Sequence, residues 1–362
     1  MMTSAIAFSM MYSAVLGQPR MSTTIPYMRE SADESVHVDE RSVALLELFK
    51  QMAENYVVPA ISEKIETDLT KWMKSADFAS MTDPAAFTAK VNEVIKANVT
   101  DAHLRFRYSP RVLPVREAPG EPSAAELKDE ADWIRRVNSN FRAVERLEGN
   151  IGYFAVDGFQ GQDDVRRPMA SVMSFLANTD ALIIDLRENG GGDPAGVQLV
   201  CSYFFGEKPV HLNSLYFREG NHTEEFWTLK ELDAPRYVNK PIYVLVSKRT
   251  GSGAEECAYN LQQLHRATII GEPTWGGANP GGMFRLSDHY SCFIPVGRAI
   301  NPYTKTNWEG TGVIPDVKSD PAKAKETAQL MLLKDIAAKE TDSNYKKALE
   351  GLIQRLESTT GR

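Results

Sequence analysis

Cysteine is scarce in this sequence: there are three in 362 residues, Cys201, Cys257 and Cys292. None stands close enough to another for a Cys-x-x-Cys redox motif or a metal knuckle, and an odd, sparse set argues against a disulfide framework. All three read as small buried apolar residues. Long hydrophobic runs are also missing: none reaches the roughly 18–20 residues that cross a bilayer as a helix. Basic charge is short, with 41 Lys and Arg against 48 Asp and Glu and a net charge of -7. A fold that grips a polyanion shows a basic stripe; this one shows none, which excludes nucleic acid as the expected partner. No nucleotide fingerprint or metal-ligand cluster stands out, so neither a cofactor nor a metal is expected. There is no internal repeat and no low-complexity tract.

What remains is ordinary for a soluble globular protein: 43% apolar and 25% charged residues. The length carries an expectation of about two or three domains, and it buries a sizeable core without covalent staples. Residues 1–35 are set apart as a signal or disordered segment. The apolar stretch Ala5–Leu16 has the length of a signal-peptide core, although no Lys or Arg precedes it. Secretion or periplasmic export is the expectation, with a cytoplasmic location as the alternative.

Residues 36–110 read as a helical N-terminal subdomain. Val43, Leu45, Leu46, Phe49, Met52 and Ala53 recur at helical spacing over Asp39–Val57, and Pro59 stops the run. Ile61–Met73 and Pro84–Ala97 predict two more helices, the second capped by Asp83. Residues 111–150 read as a linker, Pro- and Glu-rich over Arg111–Glu126, followed by a short helix over Ala131–Val144. From Ile151 to 320 the pattern becomes strands alternating with helices. Ile151–Asp157, Ala181–Leu186, Pro241–Val246 and Ala267–Gly271 are strand-like, with helical stretches between. That alternation predicts an α/β crossover βαβ core with a mostly parallel sheet. A hairpin is expected over Tyr290–Pro295 and Gly297–Ile300, and two amphipathic helices over 321–362.

Two loops carry candidate chemistry. In Arg249-Thr-Gly-Ser-Gly-Ala-Glu-Glu256 a serine follows an apolar strand and opens a helix. Ser252 there sits beside unsatisfied backbone N–H groups and the positive end of the helix dipole, which stabilise a developing oxyanion. Ser252 with Glu255 three residues on is equally a capping box, and that reading leads on this segment alone. In Asp185-Leu-Arg-Glu-Asn-Gly-Gly-Gly-Asp193, three glycines follow a buried strand and form either a nest of donors or a tight turn. Of the six histidines, His37, His103, His211, His222, His265 and His289, none carries a local motif that makes it a base; His103 lies in Thr100-Asp-Ala-His-Leu-Arg-Phe, where helix gives way to strand.

Taken together, these segments resemble the C-terminal processing peptidase (tail-specific protease) family. The resemblance is carried by Asp-Leu-Arg-x-Asn-Gly-Gly-Gly at 185–192, by the block from Ser252 through Gly271-Glu-Pro-Thr-Trp-Gly-Gly277, and by Glu309-Gly-Thr-Gly-Val-Ile-Pro-Asp316, in the family's order. It covers about residues 40–320. It implies a ClpP/crotonase-like core. The tail-specific branch pairs its serine with a lysine, but Gly277 stands at that position, which excludes a Ser–Lys pair there. The sequence is closer to the branch of the tricorn core protease and the interphotoreceptor retinoid-binding proteins. That branch implies a Ser–His–Glu triad of Ser252, His103 and Glu309, with an oxyanion hole from the backbone of Gly253 and of Gly190 or Gly191. The family's PDZ module is expected to be absent, because the chain between His103 and Ile151 is shorter than a compact domain needs.

The resemblance thus implies a serine peptidase acting on peptides or protein tails. The alternative is a non-catalytic retinoid- or lipid-binding protein of the same architecture, and the same triad also serves an esterase. Oligomeric state is left open.

Overall fold

The computed structural model describes residues 38–115 and 124–360, so the signal-like segment 1–35 and half of the 111–126 linker lie outside the described residues. The chain begins with four helices: α1 (Val38–Asn55), α2 (Pro59–Met73), α3 (Ala76–Ser80) and α4 (Pro84–Asn98). Proline opens both α2 and α4, where its missing N–H costs no helical hydrogen bond. Asp83 caps α4, accepting from the N–H groups of Ala85 and Ala86. Strand β1 (Arg105–Tyr108) follows.

Beyond the linker come α5 (Ala124–Arg136), β2 (Phe141–Leu147), β3 (Ile151–Val156), α6 (Gln162–Leu176), β4 (Ala181–Asp185) and α7 (Pro194–Ser202). Then follow β5 (His211–Phe217), β6 (His222–Trp227), β7 (Ile242–Val246), α8 (Gly253–Gln263) and β8 (Thr268–Gly271). The chain ends with β9 (Gly281–Arg285), β10 (Tyr290–Pro295), β11 (Gly297–Ile300), β12 (Val317–Lys318), α9 (Ala324–Lys339) and α10 (Ser343–Thr360).

These elements form two compact units. Among the described residues the smaller comprises 38–115 and Ala124 together with 215–224 and 279–299; the larger comprises 125–214, 225–278 and 300–360. In the smaller unit β1 and β9 flank β10, both antiparallel to it. Its core joins Leu45, Leu48, Met52, Leu69, Phe87 and Val91 of the helices to Phe106, Tyr290, Cys292 and Ile294 of that sheet.

The larger unit is built on a six-stranded sheet of order β12-β8-β7-β4-β3-β2, parallel except for the edge strand β2. Side chains alternate faces along each strand. Ile151, Tyr153, Ala181, Ile183, Tyr243 and Leu245 meet Ala328, Leu332 and Leu333 of α9 and Leu349 of α10. Helices α6, α7 and α8 pack in succession, α6 on β3 and α8 on β8. This is the expected crossover architecture. Among the described residues no helix is long and apolar enough to cross a membrane.

Three expectations differ from what forms. Helix stops at Arg136 rather than reaching Val144, and 141–147 is strand. Asn138, Ser139 and Asn140 all take positive φ (51°, 51° and 65°), which a helix cannot propagate through. Strands β10 and β11 do not form a hairpin: β10 pairs with β1 and β9, and β11 with β5. Only Val296 separates them, too little chain for a two-residue hairpin turn. And segment 279–299, inside the expected 151–320 core, belongs with the N-terminal helices.

Because Leu332 is fully buried between α9 and the sheet, Leu332→Ala is expected to destabilise the protein by about 2–5 kcal/mol. Urea unfolding measures this; a loss under about 1 kcal/mol would mean that α9 is not part of the core.

Candidate active site

Strands β4 and β7 are neighbours in the sheet, with Asp185 opposite Leu245. The loops leaving their C-terminal ends, where open α/β sheets carry their sites, are the two glycine-flanked segments. Asn189 joins them. It is fully buried, its carbonyl accepts from Gly251 N–H at 3.1 Å, and its side-chain amide donates to the Val156 carbonyl at 3.0 Å. Its Oδ1 accepts from Gly191 N–H at 2.9 Å.

Glycine is required at two of these positions for a definable reason. Gly191 has φ 112°, and a Cβ there would stand 2.7 Å from Ser252 Cβ. Gly192 has φ 135°, and a Cβ there would overlap the Phe159 carbonyl. The loop thus lies directly against the serine turn.

Ser252 itself has φ 51° and ψ -121°. An ordinary N-cap residue lies in the β region, so capping does not account for this conformation. A non-glycine residue held there costs about 1–3 kcal/mol and persists only where its surroundings over-determine it. Such a strained strand-to-helix turn is how serine hydrolases of other folds present their nucleophile. The expected capping box is nonetheless present, and in it Glu255 Oε2 accepts from Ser252 N–H at 2.8 Å.

Glu255 does more than cap. It is fully buried, and four donors converge on it. Oε1 accepts from the Thr274 hydroxyl and from Gly276 N–H at 2.6 Å; Oε2 accepts from Ser252 N–H and from Gly277 N–H at 3.0 Å. Burial pushes this carboxyl up to about 7 while the four donors pull it down. The turn that Glu255 holds is fastened in turn to the strap 308–313. Trp308 Nε1 donates to the Gly277 carbonyl, Gly310 N–H to the Gly276 carbonyl and Val313 N–H to Thr274 Oγ1. Glu309 sits in that strap, and its Oε2 accepts from Ala278 N–H at 2.7 Å.

The larger unit therefore brings together Ser252, Gly253, Gly190, Gly191 and the strap bearing Glu309. The expected oxyanion donors divide. Gly191 spends its N–H on Asn189, so its contribution is close packing rather than donation. The N–H groups of Gly190 and Gly253 have no acceptor among the described residues. His103 belongs to the smaller unit. It is buried, its ring stacked on Phe293 with centroids 5.4 Å apart, and its backbone N–H donates to Asp101 Oδ1. Asp101 also accepts from Asn279 at 2.9 Å and from the Tyr56 hydroxyl. Burial lowers the His103 imidazole to about 4, so it is neutral near pH 7. Sequence reasoning missed Asn189 and the anchoring role of Glu255. The Asn before the glycines and the Glu after Ser252 were visible, but their partners are remote in sequence.

A second carboxyl, Glu256, is buried beside the Glu255 anchor on α8. Asn213 and Asn260 face it, yet neither amide completes a hydrogen bond of ordinary geometry. Burial pushes the Glu256 carboxyl up to about 8.

Two outcomes are expected from these carboxyls. Both oxygens of Glu255 accept from backbone N–H groups, so Glu255→Gln turns an amide NH₂ onto donors and should lose at least about 1–3 kcal/mol in urea unfolding. Stability equal to wild type would mean that the anchor is dispensable. For Glu256 the folded state keeps a proton that the unfolded chain releases. Stability should therefore fall as pH rises from about 4.5 to 8 and level off above, and Glu256→Gln should flatten that slope. Urea midpoints across this range measure it; an unchanged slope would place the titration elsewhere.

Comparison with known proteins bears on this architecture. Residues 150–319 match Peptidase family S41. The chain is 31% identical over 210 residues to carboxyl-terminal-processing peptidase 2, chloroplastic, of Arabidopsis thaliana, across 56% of this chain and 39% of that protein. It is 28% identical over 147 residues to the tricorn protease of Thermoplasma volcanium, across 40% of this chain and 12% of that protein. The chain thus spans well under half the length of either relative. The crystal structure of the tricorn protease superposes with a TM-score of 0.51 at 15% identity, covering 88% of this chain and 37% of that one, a likeness of fold. Residues 150–319, which carry both glycine-flanked turns, Ser252 and Glu309, are accordingly a Peptidase family S41 region.

Proposed function

We propose that this protein is a serine peptidase in which Ser252 is the nucleophile, His103 the general base and Glu309 the acid that orients the imidazole. The observation that carries the reading is the backbone of Ser252. A serine held at positive φ on a strand-to-helix turn, with Gly191 packed against it and two unspent N–H groups beside it, goes beyond what capping α8 requires and suits presentation of its hydroxyl.

In this scheme His103 takes the Ser252 proton as the oxygen attacks the scissile carbonyl, then returns it to the leaving amine. The N–H groups of Gly253 and Gly190 receive the developing oxyanion, at the positive end of α8. Glu309 stabilises the imidazolium that forms between the two steps. The substrates proposed are peptides or unfolded protein tails. Trp275, partly exposed and lying over Gly251, would form an apolar wall beside the nucleophile.

A fluorophosphonate probe with mass mapping tests this. Labelling is expected at Ser252, to vanish in Ser252→Ala, and to fall about 10²–10⁴-fold in His103→Ala. Glu309→Gln should leave unfolding intact and reduce turnover strongly. Because burial holds His103 near 4, the labelling rate should stay flat from pH 8 down to about 5 and drop below, where a solvent-exposed histidine would already fail near 6.5. A folded protein that no probe labels would remove the catalytic reading.

A further inference from the structure

Cys201 and Cys257 are both fully buried in the larger unit, on α7 and α8, with their Sγ atoms 3.7 Å apart. The helices that carry them are the two that start at the candidate site. Helix α7 begins directly after the Gly190–Gly192 loop, capped by Asp193, and α8 begins directly after Ser252. The remaining cysteine, Cys292, lies on β10 of the smaller unit.

We propose that Cys201 and Cys257 are the site of an intramolecular disulfide that cross-links α7 to α8 and so clamps the glycine loop to the nucleophile turn. The two sulfurs are already in van der Waals contact. A disulfide needs about 2.0 Å between them, so they must approach by about a further 1.7 Å from their 3.7 Å separation. The bond closes a loop between positions 56 residues apart, long enough for the cross-link to restrict the unfolded chain substantially.

The chemistry is a two-step thiol–disulfide exchange with a low-molecular-weight disulfide such as oxidised glutathione. One cysteine thiolate attacks the oxidant's S–S bond, forming a mixed disulfide and releasing one glutathione thiol. The second thiolate then displaces the other glutathione thiol and closes the Cys201–Cys257 bond. The protein loses two protons and two electrons; the oxidant gains both pairs. In the folded state the contact with Cys257 and burial both push the Cys201 thiol well up, so the exchange belongs to the folding or partly opened chain. Once made, the bond is shielded from reductant by the same burial.

The test uses the full-length wild-type protein, incubated in sub-denaturing urea with either oxidised glutathione or a reductant, then returned to native buffer. Under denaturing conditions the oxidised sample should titrate one thiol and the reduced sample three. Mass mapping without reduction should show a Cys201–Cys257 linked peptide lighter by two hydrogens. Thermal unfolding of the oxidised protein should lie about 5–10 °C above the reduced one, and a Cys201→Ala, Cys257→Ala double variant should lose that difference. Three titratable thiols after oxidation, glutathione adducts in place of the link, or a bridge to Cys292 would each overturn the proposal. The thiol count is independent of peptidase activity, so the two proposals fail separately.

Discussion

The buried carboxylate of Glu255 is the interaction on which the candidate site depends. Its two oxygens collect one N–H from the serine turn, two from the Gly276–Gly277 turn, and the Thr274 hydroxyl. Those donors come from segments some twenty residues apart, with α8 and β8 between them. Placing a carboxylate in an apolar interior is costly unless its lone pairs are filled; here they are, and the cost is offset by fixing two loops at once. Everything downstream inherits that register. The turn at 274–277 holds the strap at 308–313, and the strap carries Glu309.

The strain at Ser252 follows from the same arrangement. A left-handed serine would relax if its N–H were released or the space over its Cβ opened. Glu255 holds the first, and Gly191 fills the second. Asn189 then determines how the glycine loop can serve. By taking the Gly191 N–H it fixes the loop's path and leaves the neighbouring N–H groups of Gly190 and Gly253 unspent. Of the loop's N–H groups, the asparagine thus takes that of Gly191 and leaves that of Gly190.

How much of this was legible in the sequence depended on the range of the forces involved. The parallel core was readable, because Ile242–Val246 is a continuous apolar run and Ala181–Asp185 is one up to its final aspartate, the mark of strands buried on both faces. The helices α2 and α4 were readable from their own prolines and the Asp83 cap. The boundary at Arg136 was not. It turns on three consecutive residues at positive φ, and Asn and Ser permit that conformation without demanding it. The fate of β10 and β11 was hidden for a different reason. Each looks like half of a hairpin locally, but each pairs with a strand far away in the chain. At the site, the resemblance to a known family singled out Ser252, His103 and Glu309. The Glu255 anchor and the Asn189 bridge were invisible because an acceptor's value depends on which donors tertiary structure delivers to it.

The smaller unit draws on separate stretches of chain, from the described residues up to 124, then 215–224 and 279–299, which alternate in sequence with those of the larger. Neither unit is therefore a cassette. A single cut cannot excise one from the other, and a ribosome delivers the N-terminal helices long before it delivers the strand β10 that completes their core. Until residue 295 has emerged, the apolar faces of α1, α2 and α4 lack their sheet. Non-local completion of this kind slows folding and leaves a nascent apolar surface of the sort that chaperones shield. A single recombination point anywhere between residues 125 and 278 would break both units at once.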